Sequence, residues 1–227
     1  MSDGAEQGLG LVVPVAERIR VLTMLADHDS RGDPLTGLAN RRAFHEALEL
    51  EVERSRRFGD PLGLVMVDLD DFKRINDCYG HPQGDEVLRE VGRVLRESCR
   101  EIDLAVRYGG DEFVVLLAGT DLDAANELAE RTRAGIAALE VAVLDGGHLL
   151  RVTASVGAAS LPENASDGGT LTAAADAALR EGRRNDGPGG GARVPRRPEP
   201  DRGAGGAALA RPDPPHEADD PKPPHFR

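Results

Sequence analysis

The chain is poor in cysteine, in long apolar runs and in positive charge, and each shortage narrows what it can do. Two cysteines occur in 227 residues. Cys78 and Cys99 form no C-x-x-C pair and no disulfide framework, which suits a reducing cytoplasm. The apolar run L-G-L-V-V-P-V-A near the start is short, holds a proline and follows no basic segment. Neither a secretory signal nor a membrane span is expected from it. Lysine and arginine number 28 against 40 acids, a net charge of −12. Such a chain repels nucleic-acid phosphates and is not expected to bind nucleic acid. Cationic partners, or metal ions that bring phosphates with them, are its natural complement.

Proline is unevenly spread. Ten of the fifteen prolines follow Asp186, interleaved with glycine and charge but with no apolar periodicity. Residues 186–227 are therefore expected as a Pro/Gly-rich disordered tail. Residues 33–185 remain as one domain of ordinary size, preceded by an N-terminal segment over 1–32. In that segment Val15, Ile19, Leu22 and Ala26 recur at helical spacing. They predict a short helix over 14–29 that either pairs two chains as a coiled-coil seam or lies on the domain. No sensor domain is recognisable before Asp33.

Within the domain, D-P-L-T-G-L-A-N breaks the helical pattern and places Asn40 to cap a helix over 41–57 with Phe44, Leu48 and Val52 on one face. L-G-L-V-M-V-D-L is an unbroken apolar run of strand length, as a doubly covered central strand requires. A polar loop follows, then a helix marked by Val87, Leu88, Val91 and Leu95 as far as Arg100. L-A-V-R-Y and F-V-V-L-L flank two glycines as a β-hairpin. A helix over 121–139, a second strand pair turning at D-G-G-H and an alanine-rich helix over 170–183 complete the order. Hairpins alternating with helices predict an α+β domain: a ferredoxin-like, palm-type β-α-β-β-α-β core with a mostly antiparallel central sheet and flanking helices.

That topology brings the end of the Leu62–Val67 strand beside the tip of the hairpin, and so Asp68 beside Asp111 and Glu112. Three carboxylates in one place repel, and burying them unpaired costs several kcal/mol. A divalent cation resolves the conflict, and hard oxygen ligands suit Mg²⁺ held jointly by carboxylates and substrate phosphates. In D-L-D-D-F-K-R-I-N-D-C-Y-G-H-P-Q-G-D-E, Lys73 offers a point charge for phosphates, and the N–H groups around Asp71 and Phe72 can cradle them. Asn76 and Asp85 carry groups able to read the edge of a guanine, with Gly80 and Gly84 turning the backbone around the base.

R-Y-G-G-D-E-F, D-P-L-T-G-L-A-N-R-R, D-L-D-D-F-K-R-I-N-D-x-Y-G-H-x-x-G-D and V-T-A-S-V-G together resemble the GGDEF-domain family, the diguanylate cyclases. The resemblance spans roughly residues 33–180. It implies condensation of two GTP molecules into cyclic di-GMP with release of two pyrophosphates, in a homodimer whose two sites face each other. It implies Mg²⁺ (or Mn²⁺) on Asp68 and Asp111, with the Leu69 carbonyl and Glu112 completing the cluster. It also implies Asn76 and Asp85 on guanine, Phe72 and Lys73 on the phosphates, and Gly109 and Gly110 allowing close approach. Asp111 or Glu112 would assist deprotonation of the 3′-hydroxyl, and Arg107 is placed to stabilise phosphate charge. Arg100 and Asp103 fit the R-x-x-D product-inhibition site of the family, where cyclic di-GMP would bind, with Arg131 as a second arm.

The resemblance weakens at the last helix, A-D-A-A-L-R-E-G-R-R-N-D-G. Arg180 stands where the family carries tyrosine and Arg183 where it carries the triphosphate-binding lysine, a change of reach and geometry. The family's closing strand gives way to the tail. The alternative reading is therefore a non-catalytic cyclic di-GMP receptor or a GTP-responsive regulatory domain.

Overall fold

The computed structural model describes residues 31–144 and 146–185. The expected N-terminal helix and the tail lie outside them. A two-residue strand β1 (Ala39–Asn40) leads into helix α1 (Arg41–Phe58). Asn40 caps it as the sequence predicts, its side chain accepting from the N–H groups of Arg42 and Ala43, both at 3.1 Å. Strand β2 (Leu62–Leu69) is followed by two helices, α2 (Phe72–Tyr79) and α3 (His81–Ser98). The hairpin β3 (Leu104–Arg107) and β4 (Glu112–Ala118) comes next, then α4 (Leu122–Ala137), the short β5 (Val141–Ala142) and β6 (Leu149–Leu150), β7 (Ala154–Leu161) and α5 (Gly168–Asn185).

The main sheet runs β1-β3-β4-β2-β7, antiparallel except for the parallel β1–β3 edge. Its β2-β3-β4-β7 strands with the helices between them are the β-α-β-β-α-β core expected from the sequence. Strand β2 lies between β4 and β7, and its alternating side chains feed two separate cores. Val65, Val67 and Leu69 pack with Val87, Val91 and Leu95 of α3 and with Leu128 and Ile136 of α4. Leu62, Leu64 and Met66 face the other way, onto Phe44 and Leu48 of α1 and Leu171, Ala175 and Leu179 of α5. Burial on both faces is what an unbroken apolar strand demands. Each fully buried Leu or Phe contributes about 1.5–3 kcal/mol.

Two expectations need correction. The stretch after β2 is not a loop: it forms α2, and α3 starts at His81 rather than near Val87. Ile75 is the one fully buried residue of α2, with Phe72 and Tyr79 packing beside it at helical spacing, a repeat of only two turns. The second strand pair also divides. Leu149–Leu150 pairs with Val141–Ala142 in a small separate sheet, whereas Ala154–Leu161 joins the main sheet against β2. The small residues of A-S-V-G-A-A-S suit this edge strand, because α5 packs directly on them. A side chain at Gly157 would lie 2.1 Å from the Leu179 nitrogen.

Candidate functional site

Strand register builds the site. Asp68, next to last in β2, stands opposite Glu112 of β4 and Ser155 of β7. The Leu69 N–H donates to the Asp111 carbonyl at 3.2 Å, and this ties the end of β2 to the hairpin tip. The Tyr108 and Gly109 N–H groups both donate to the Glu112 carbonyl, at 2.8 and 3.1 Å, closing the turn. Asp68, Leu69, Asp111 and Glu112 are thus neighbours, as the topology argument required.

Asp68 is half-buried, and its Oδ1 accepts no hydrogen bond. Arg183 of α5 approaches that oxygen at 3.1 Å as an ion pair, off the hydrogen-bonding direction. Burial pushes the Asp68 carboxyl above the ordinary carboxylate range. The Arg183 charge pulls it down, and Asp111, Glu112 and Asp70 push it further up. A buried carboxylate oxygen that accepts no hydrogen bond, set among other carboxylates, is the environment a hard cation relieves. No group of three His, Cys, Asp or Glu side chains forms a ready metal cluster among the described residues. Two carboxylates plus a main-chain carbonyl need no such trio, since Mg²⁺ usually completes its shell with water and substrate phosphate.

The glycines of the hairpin serve different ends. A side chain at Gly109 would meet Glu112 Oε2 at 2.5 Å, so the glycine makes room for that carboxylate. At Gly110 nothing lies within 4 Å, and the space is open. Gly84 is not a turn residue as expected but part of α3. A β-carbon there would fall 2.0 Å from Asn76 Oδ1, a buried acceptor that takes no hydrogen bond. Asn76 of α2 is thereby laid against the α3 turn that carries half-buried Asp85.

Asp71 begins α2 in the left-handed region, at φ 53° and ψ 26°. Followed by helical Phe72, it fans successive N–H groups outward, and those of Phe72 and Lys73, in the first turn, have no intrahelical acceptor. Lys73 is exposed beside them. Asp70, which the sequence reading did not single out, is held rigidly: Thr153 Oγ1 and Ser155 Oγ each donate to its carboxylate at 2.7 Å, and its N–H donates to the Thr153 carbonyl at 3.0 Å. The alternation of Thr153 and Ser155 in V-T-A-S was the available signal.

Arg107 is placed otherwise than expected. Its guanidinium donates to the Gly110 carbonyl at 2.8 Å and to both oxygens of Asp33 at 3.3 Å, leaving the side chain largely buried. These bonds make Arg107 a clamp on the hairpin. Asp33 also accepts from the Thr36 N–H and hydroxyl, at 2.9 and 2.7 Å. Although burial raises its pKa, those bonds and Arg107 outweigh it and hold the carboxyl below the usual range.

On another edge, the Arg100 N–H donates to Asp103 at 2.8 Å, and Arg131 of α4 reaches the Ser98 carbonyl at 3.2 Å. Both Asp103 and Arg131 act on half-buried Cys99. Burial first, then the Asp103 charge, push its thiol up to about 12 against the pull of Arg131. The three expected members of the second site therefore share one corner. Arg180 is spent on Asp176, one turn back. Two surface cavities of about 660 and 580 Å³ along α1 are lined by none of these residues.

Comparison with known proteins identifies the family of this fold. The chain is 45% identical over 152 residues to diguanylate cyclase DgcP of Pseudomonas aeruginosa, covering 67% of this chain and 22% of that protein. It is 46% identical over 125 residues to response regulator PleD of Caulobacter vibrioides, covering 55% and 28%. The chain thus spans about a quarter of these curated relatives. Among solved structures, diguanylate cyclase SiaD of Pseudomonas aeruginosa in complex with its activator SiaC superposes with a TM-score of 0.66 at 41% identity, over 75% of this chain and 65% of that one. The GGDEF domain of DgcB from Caulobacter crescentus, in complex with c-di-GMP, gives 0.66 at 30% identity, over 70% and 92%. The family described as "Diguanylate cyclase, GGDEF domain" matches residues 30–187, and the chain belongs to the GGDEF-domain family.

Proposed function

We propose that this domain, residues 33–185, is a Mg²⁺-dependent diguanylate cyclase that joins two GTP molecules into cyclic di-GMP and releases two pyrophosphates. The observation that carries the reading is the buried, unbonded Oδ1 of Asp68, set in register with Glu112 and tied to Asp111 through Leu69. Asp68, Asp111 and the Leu69 carbonyl would hold the metal, with Glu112 adjacent; Mn²⁺ has the same ligand preferences in kind. When bound, the ion supplies charge neutralisation at the α-phosphate. The chain's own residues do the rest. The Phe72 and Lys73 N–H groups and the Lys73 ammonium orient the triphosphate. Asn76 and Asp85 accept from the guanine edge. Gly110 leaves room for the nucleotide, and a carboxylate of the Asp111–Glu112 pair takes the proton of the attacking 3′-hydroxyl.

That hydroxyl belongs to the GTP held by a second copy, so the working unit is a homodimer with facing sites. Arg183 exchanges Asp68 for substrate phosphate, and Arg107 fixes the hairpin tip. Product would bind at Arg100, Asp103 and Arg131 and restrain the enzyme. Reduced thiols and a GTP supply fit a cytoplasmic setting, and among the described residues no helix is long and apolar enough to cross a membrane. The Arg183–Asp68 pair and Arg180 in place of tyrosine favour a second reading, a receptor of cyclic di-GMP without turnover.

Incubation of the chain with GTP and Mg²⁺, with nucleotides resolved by chromatography, decides between them. Cyclic di-GMP accumulating and then stalling is the expected result, and Asp111→Asn should lower turnover by at least about a hundredfold with an unchanged melting curve. Full turnover by Asp111→Asn would sink the metal-site reading. Product binding without turnover by the parent would establish the receptor.

A further inference from the structure

Gln83 is a polar side chain in a place where an apolar one would pack. It is 1% exposed, in the first turn of α3, next to Gly84 and two residues from Asp85. Both ends of its amide are bonded. Nε2 donates to the Ala142 carbonyl at 3.1 Å, and Oε1 accepts from the Leu144 N–H at 2.9 Å. A side-chain amide presents the same donor and acceptor as a peptide unit, so Gln83 docks on β5 as a neighbouring strand would. A buried amide is tolerated only when both its groups are bonded, and here one bond runs to β5 and the other to the turn that follows it.

The same small sheet grips the preceding helix. The rings of Tyr79, at the end of α2, and His148 lie 6.0 Å apart. Val141, Val143 and Leu150 are buried in the core against which Phe72, Cys78 and Tyr79 pack. The β5–β6 sheet therefore holds both helices of the α2–α3 corner, and that corner carries Asn76 and Asp85. Inside it, Asn76 Oδ1 is buried without a hydrogen bond and pressed toward the backbone of Gly84, the residue after Gln83. Moving the 83–85 turn moves Asp85 relative to Asn76.

We propose that Gln83 is a positioning residue for base selection, bracing the α2–α3 corner against the β5–β6 sheet so that Asn76 and Asp85 stand at the spacing a guanine edge requires. The inference rests on the base-reading role assigned above to those two residues. Sites of this kind tolerate displacements of only about 0.5 Å before selectivity falls. The brace therefore acts on discrimination between bases rather than on the chemical step.

The test compares GDP with IDP, which lacks the exocyclic amine that both carbonyl and carboxylate can accept from. Binding of each in Mg²⁺ is measured by calorimetry on the full chain, and steady-state turnover of GTP is measured beside it. In Gln83→Met, which fills the space without either bond, the preference for GDP over IDP should shrink by about tenfold, mainly through weaker GDP binding. KM for GTP should rise by a similar factor while kcat changes by less than about twofold. Equal loss for GDP and IDP, or an unchanged ratio in a folded variant, overturns the proposal. If Gln83→Met does not fold, Gln83→Glu, which keeps the acceptor for Leu144, carries the same comparison; unfolding of both would mean the amide serves the fold alone. A parent chain that binds neither nucleotide defeats the cyclase reading itself, whereas a selective parent with an equally selective variant defeats only this inference.

Discussion

At the scale of single residues, the carboxylates at the strand ends work against the stability of the fold they sit in. Asp68 has its pKa raised by burial, so the stability it contributes is present below its unfolded value near 3.8 and is lost as pH rises through its folded value. At neutral pH its charge is a liability. Asp68→Asn should raise the melting temperature at pH 7, with the difference closing as pH falls below the ordinary carboxylate range, while turnover disappears. Thermal melts across pH check this, and a lower melting temperature at pH 7 would contradict it. Asp33 has the opposite sign: with its pKa lowered, its contribution is present above 3.8 and lost as pH falls through the folded value. The two hairpin glycines separate steric room for the protein from room for the ligand. Gly109→Ala displaces the Glu112 carboxylate and should cut turnover by about tenfold or more at a stability cost within about 0.5 kcal/mol, because a flexible side chain can yield. Gly110→Ala meets no protein atom, so any loss of GTP binding in that variant reports the nucleotide itself.

At the scale of elements, legibility followed burial. The unbroken apolar run of β2 announced a strand covered on both faces, and the two cores on its alternating sides are that expectation realised. Asn40 announced its helix because capping is a local bond between a side chain and N–H groups two and three residues on. Helix α2 was missed because it is only eight residues long: Phe72, Ile75 and Tyr79 do fall at helical spacing, but so short a repeat among charged residues is a weak signal. The Asp33–Arg107 clamp was equally hidden, since its partners lie 74 residues apart and either charge alone reads as solvated. The contact of α5 with β7 is testable at this scale. Gly157→Ala would press a methyl into the backbone of Ala175 and Leu179, which cannot retreat as a side chain does. A loss of about 1–3 kcal/mol in urea unfolding is expected, with GTP affinity falling as well because α5 carries Arg183. An unchanged unfolding midpoint would show that the helix shifts freely.

At the scale of the whole molecule, the Asp68 cluster and the Arg100 corner lie toward opposite ends of β3, so the proposed control of one by the other needs either motion within the chain or a second chain. The R-x-x-D corner is built from α3, the turn after it and α4, and none of these supplies a ligand to the Asp68 cluster. Arg100→Ala should therefore let cyclic di-GMP reach a plateau at least about tenfold higher before synthesis stalls, read from progress curves at fixed GTP. A plateau equal to that of the parent would remove the corner from the control of the enzyme.

The Arg107 clamp carries one more consequence. Asp33 belongs to the first described residues of the domain, and the guanidinium that holds it also holds the Gly110 carbonyl. The place where the polypeptide enters the domain is thus joined to the hairpin tip by a single side chain, like a bell-pull fixed to its clapper. Displacing Asp33 therefore either breaks its bonds to Arg107 or pulls on the guanidinium that holds the Gly110 carbonyl, so the first described turn of the domain and the hairpin tip share one latch.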